Sequence, residues 1–131
     1  MHIEQLREYC ISKKGVTEHF PFDDVTLVFK VMNKMFMMVP LDRWEKGEQN
    51  IVIKLDPEIA IELREANESI LGGFQQGRKP EAKYVNVKHW NTVVVNQEVS
   101  DAQVFNLIKD AYQVVVNKLT KKLKAELESL S

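Results

Sequence analysis

Asn86-Val87-Lys88-His89-Trp90-Asn91-Thr92-Val93 gathers an ammonium, an imidazole, an indole and two amides within eight residues, between segments that read as strands. Trp90 offers a broad face on which a base can stack, His89 and Asn91 supply donors and acceptors, and Lys88 supplies charge. Such a set can hold a phosphate backbone. The same residues also have an architectural reading: a tryptophan beside strands fills a core, a histidine at a bulge bonds backbone, and Asn91 and Thr92 satisfy a turn.

Charge along the chain adds to the first reading. The net charge is -1, which draws no polyanion to the molecule as a whole. Residues 1–68 hold 9 Lys and Arg against 13 acids, whereas residues 69–124 hold 9 against 4. If Arg78, Lys79, Lys83, Lys88, Lys118, Lys121, Lys122 and Lys124 share a face, that half meets nucleic acid first. The alternative is a set of lysines scattered to keep the surface soluble.

Other chemistries find little in the sequence. His2, His19 and His89 are too dispersed for metal-ligand spacing, and one cysteine makes no zinc pattern, so neither metal nor cofactor is expected. Gly72-Gly73-Phe74-Gln75-Gln76-Gly77-Arg78-Lys79 follows a helix and lacks the Lys-Ser/Thr of a phosphate loop. Asp23-Asp24 beside Pro21 reads as a solvated turn rather than a catalytic pair. Cys10 shares a helical face with Ile3 and Leu6, the place of a buried thiol. No catalytic residue emerges. Met32, Met35, Met37 and Met38 crowd one hairpin, as core filler or as an adaptable surface for a protein or peptide partner.

The elements that position these residues follow from periodicity and caps. At 131 residues, 44% apolar and 28% charged, the chain has the dimensions of a single domain spanning residues 1–131. No apolar run approaches the length that spans a bilayer, and the amino terminus is amphipathic and acidic, so a cytoplasmic protein is expected. Ile3, Leu6 and Cys10 predict a first helix stopped at Lys13-Lys14-Gly15. Thr17–Asp24 reads as a connector whose Phe20 and Phe22 plug the core. Thr26–Val31 and Met35–Val39 predict an antiparallel hairpin turning at Asn33-Lys34. After a loop over Arg43–Asn50 come a strand at Ile51–Leu55 and a helix capped by Asp56-Pro57. Ser69–Lys83 is the least ordered stretch expected, followed by strand segments at Tyr84–Val87 and Trp90–Val95. Ser100 and Gln103 form a capping box for a helix with the stripe Val104, Leu107, Ile108, Ala111, Tyr112, Val115 and Leu119, with Val99 stapled onto Val104. Either this helix runs on for some thirty residues or it breaks near Thr120, whose hydroxyl can cap a short last helix; the break is the favoured reading. The result is an α+β, two-layer architecture: an antiparallel sheet of about five strands against helices, in the order α-β-β-β-α-β-β-α.

Gly15-Val16-Thr17-Glu18, Phe20-Pro21-Phe22-Asp23, Lys34-Met35-Phe36, Lys54-Leu55-Asp56-Pro57 and Lys88-His89-Trp90-Asn91-Thr92-Val93, taken together, resemble the MmcQ/YjbR family over nearly the whole chain. The resemblance implies a two-layer fold related to CyaY-like and secretion-chaperone-like architectures, and a DNA-binding function that is itself inferred from fold. Two departures stand out: the approach Glu81-Ala82-Lys83-Tyr84-Val85-Asn86 lacks the family's usual histidine, and Thr120 stands where a proline is common. The leading expectation is therefore a non-enzymatic protein that binds DNA through Lys88, His89, Trp90 and Asn91, with Lys121, Lys122 and Lys124 as phosphate neighbours. The competing one is a protein-interaction adaptor that uses the sheet face or the methionine hairpin.

Overall fold

Local capping signals set most of the helix boundaries. The computed structural model describes residues 1–73, 88–95 and 98–130. In chain order their elements are α1 (Ile3–Ile11), β1 (Val16–His19), β2 (Thr26–Val31), β3 (Lys34–Pro40), α2 (Leu41–Trp44), β4 (Asn50–Lys54), α3 (Pro57–Ala66), β5 (Ile70–Gly72), β6 (Trp90–Val94), α4 (Asp101–Asn117) and α5 (Lys121–Ser129). Asp56 Oδ1 accepts from Glu58 N at 3.0 Å, with Pro57 opening α3 where a helix has no partner for a backbone donor. Ser100 Oγ accepts from Gln103 N at 3.2 Å while Gln103 Oε1 accepts from Ser100 N at 2.8 Å, a complete capping box. Thr120 Oγ1 accepts from Leu123 N at 3.2 Å, so the helix breaks there and α5 begins. Each such cap contributes about 1 kcal/mol.

The strands form one antiparallel sheet in the order β1-β2-β3-β4-β6-β5. Six described strands stand where about five were expected. The two additions are short edge strands. β1 occupies part of the expected connector, and its alternation is hard to read because Val16 is its one aliphatic residue. β5 lies in the segment expected to be least ordered, and three residues are too few to show a period. The strand expected at Tyr84–Val87, and residues 74–83 of the segment before it, lie outside the described residues. The short helix α2 starts at Leu41 and runs into the first two residues of the segment Arg43–Asn50 read as a loop.

The hairpin turns at Met32 and Asn33, one residue earlier than expected, and both have positive φ (48° and 66°). Two consecutive left-handed residues match the twist of the flanking strands. The pairing passes from Phe29↔Met37 to Lys30↔Met35, leaving Phe36 as an extra residue. That bulge lets Phe36 and Met37 both join the core on the helical side of the sheet. There Phe36 meets Tyr112 of α4 edge-on, with ring centroids 5.8 Å apart. Leu6, Phe29, Ile51, Ile53, Val93 and Ile108 complete the centre of this core, and Val99 and Val104 join it as the expected staple. On the opposite sheet face Val28, Met38, Val52 and Trp90 form a second buried cluster, with Phe22 and Met35 against it. Phe22 thus packs on the far face, and Phe20, expected in the core, is 50% exposed.

Candidate nucleic-acid interface

The motif that opened the sequence reading sits on the first residues of β6 and the turn before it. Side chains alternate along β6, so Trp90 falls on the far face while Asn91 and Val93 face the helices. Trp90 is 4% exposed and lies with Val28, Met38 and Val52. Asn91 is fully buried: its Oδ1 accepts from Arg64 Nη1 of α3 at 2.5 Å, and its Nδ2 donates to the His89 carbonyl at 3.2 Å. Thr92 Oγ1 donates to the Gly73 carbonyl at 2.6 Å. Asn91 and Thr92 therefore tie β6 to α3 and to the end of β5. Trp90 and Asn91, expected as nucleic-acid contacts, serve the architecture in this conformation, because an indole that is 4% exposed offers no open face on which a base can stack.

Lys88 and His89 remain at the surface of the turn, Lys88 exposed and His89 half-buried. The His89 carbonyl accepts from Leu55 N at 2.8 Å, which fixes the turn against the end of β4. Among the described residues the imidazole does not bond backbone as the architectural reading anticipated: its Nδ1 is shielded from solvent and has no hydrogen-bond partner there. Desolvation, then Lys118, Lys54 and Lys88, push the imidazole below the ordinary histidine range, with Asp56 opposing them. Lys54 is also lowered, by burial first and then by Lys118 and Lys34.

These mutual effects define a site. β3 begins, β4 ends and β6 begins at one end of an antiparallel sheet, and α4 delivers Lys118 as its C-cap to the same place. Lys34, Lys54, Lys88, Lys118 and His89 thus converge from three elements and the turn before β6. None of Lys34, Lys54 and Lys118 has an ion pair among the described residues. A cluster of like charges raises its own free energy and lowers it again when a polyanion arrives. Lys34 and Lys54 were not anticipated at the site, although the antiparallel order of the hairpin and third strand carried that information.

Lys121, Lys122 and Lys124 are exposed on α5, which starts three residues after Lys118. Arg78, Lys79 and Lys83 lie outside the described residues. The other candidates resolve simply. Phe36, Met37 and Met38 are fully buried, so the hairpin offers no exposed methionine surface at these positions. Burial pushes the Cys10 thiol up to about 12, where a thiolate is scarce at neutral pH. Among the described residues no cluster of His, Cys, Asp or Glu could hold a metal ion, and no helix is long and apolar enough to cross a membrane.

Comparison with known proteins places these features in a group. A family model described as YjbR matches residues 11–114. The uncharacterized protein YjbR of Escherichia coli K12 is 28% identical over 119 residues, 91% of each chain. The uncharacterized protein YbdF of Escherichia coli O157:H7 is 31% identical over 103 residues, 79% of this chain and 75% of that one. Among solved structures, Deinococcus radiodurans protein DR2400, with a DUF419 domain, superposes with a TM-score of 0.80 at 32% identity, covering 96% of this chain and 87% of its own. A Pseudomonas syringae protein shares the fold with a TM-score of 0.65 at 21% identity, covering 87% of this chain and 98% of its own.

Proposed function

The chain belongs to the YjbR family, and within it we propose a non-enzymatic nucleic-acid-binding protein whose interface is the basic end of the sheet. The convergence of Lys54, Lys88 and Lys118 around His89, with Lys34 beside Lys54, carries this reading. Lys34, Lys54 and Lys118 have no ion pair among the described residues, and ammonium groups held close together bind a phosphate chain better than the same number spread over a surface, because each phosphate relieves repulsion as well as adding attraction. Exposed Lys121, Lys122 and Lys124 extend the positive surface along α5 for neighbouring phosphates. With Trp90 and Asn91 buried, contacts to the backbone dominate, so affinity depends on salt more than on base sequence.

Fluorescence anisotropy with labelled single- and double-stranded DNA, at low and near-physiological salt, tests this against a folded Lys54→Ala/Lys118→Ala variant. Removing two phosphate contacts is expected to weaken low-salt binding about tenfold or more and to flatten its salt dependence. Absence of binding at low salt, or equal binding by the variant, would sink the proposal and turn the search towards a protein partner.

A further inference from the structure

The far end of the same sheet holds a cavity of about 350 Å³ between α1, β1, the start of β2 and α2. Lys34 opens the seven-residue strand β3 and Leu41 follows it, so the cavity and the basic cluster are separated by a strand length of about 20 Å. Buried Leu27 and Trp44, with half-buried Ile3 and Leu41, give the cavity its apolar walls. Phe20 stands at the same cavity, half exposed. That residue belongs to no core, and its ring is the unexplained apolar surface of this region.

The charged lining is three carboxylates, Glu4, Glu18 and Glu45, against one guanidinium, Arg7. Arg7 is committed within the protein. Its Nε and Nη2 donate to both Glu18 oxygens at 2.6 and 2.9 Å, and its Nη1 donates to both Glu4 oxygens at 3.0 and 3.1 Å. An entering anion would have to displace one of those bidentate pairs and then face the remaining carboxylates. A neutral apolar molecule would use the walls and leave the acidic rim unanswered. A cation on an apolar body uses both, with Glu45 free of any ion pair or side-chain hydrogen bond among the described residues.

We propose that this cavity binds a small organic cation, an amine or guanidine carried on an aromatic or branched apolar body. The apolar body sits against Leu27, Leu41 and Trp44, Glu45 holds the charge, and Phe20 closes over the ligand with its ring face towards the cation. The volume lies within the range of small-molecule pockets, roughly 300–1,000 Å³.

Two-dimensional amide NMR of the full chain, titrated with 4-phenylbutylamine and separately with 4-phenylbutyrate at neutral pH, tests the proposal. The amine is expected to shift the Leu27 and Leu41 amides and the Trp44 indole, saturating on the order of millimolar, with the carboxylate about tenfold weaker or worse. Glu45→Gln, at an exposed position, should weaken the amine about two- to fivefold without disturbing the fold. Phe20→Ala should weaken it comparably. Glu18→Gln removes an Arg7 partner and can unfold the region, so Glu45→Gln and the amine-to-carboxylate ratio decide the matter. Equal binding of the two compounds, no saturable shift at these residues, or indifference to Glu45→Gln would overturn it. Because the cavity lies far from the basic cluster, DNA binding and amine binding fail or succeed separately.

Discussion

His89 is the residue at which folding, charge and binding meet. Its ring is flanked by Lys118 from α4, Lys54 from β4 and Lys88 beside it, with Asp56 at the start of α3 as the opposing charge. Desolvation and those lysines favour the neutral imidazole. Above the ordinary histidine value of about 6.5 the ring is neutral in both folded and unfolded chains, and its contribution to stability does not change with pH. As pH falls below that value, the unfolded chain takes up a proton that the folded chain resists, so stability declines until the lower folded value is passed. Urea midpoints at about pH 7.5 and about pH 5.5 should therefore show wild type losing ground to His89→Asn on acidification. A phosphate chain reverses the local field, so DNA should raise the imidazole's titration midpoint in an NMR experiment. A midpoint at or above the ordinary histidine value in the free protein would contradict the environment described for this ring.

At the scale of elements, the last helix depends on one glycine. Gly15 has φ +78°, and a Cβ there would lie 2.6 Å from Leu127 Cδ1 and 3.4 Å from Met32 Sδ. Leu127 joins the main core from α5, and Lys14 Nζ donates to the Glu128 carbonyl at 3.1 Å near the end of that helix. Gly15→Ala combines left-handed strain of about 1–2 kcal/mol with a collision, whereas Leu127→Ala vacates the space at a cost of about 2–5 kcal/mol. The double variant should be more stable than the sum predicts by about 0.5 kcal/mol or more in urea unfolding. Strict additivity would mean that α5 does not dock on Gly15. The sequence displayed much of this layer: Asp56-Pro57, the Ser100–Gln103 box, the Thr120 break and the central hairpin all act through neighbours in the chain. It hid what long-range pairing decides. β1 and β5 become strands because β2 and β6 lie beside them, and Phe20 looks like core until the fold leaves it at the edge of a cavity.

Across the whole molecule, the position of charge matters more than its total. Dividing the chain at residue 68 marked its second half as basic, and Lys88 and Lys118 do belong to the candidate site. That division assigned Lys34 and Lys54 to the acidic half, although antiparallel strands return them to the same end. A linear tally of charge is blind to strand direction, just as the aromatic motif was blind to which face of β6 Trp90 would occupy. The consequence is measurable with two variants of equal net charge. Lys54→Ala/Lys118→Ala removes two charges from the cluster, whereas Lys46→Ala/Lys109→Ala removes two from exposed positions after α2 and along α4. Near physiological salt, screening confines each charge to about 8 Å, so the second pair acts on a bound phosphate chain weakly. If the basic end is the interface, the first variant should lose about tenfold or more in DNA affinity and the second less than about twofold, with salt slopes differing by nearly two. Equal losses would instead mean that the protein attracts polyanions through its overall field, and that the end of the sheet has no special part in binding.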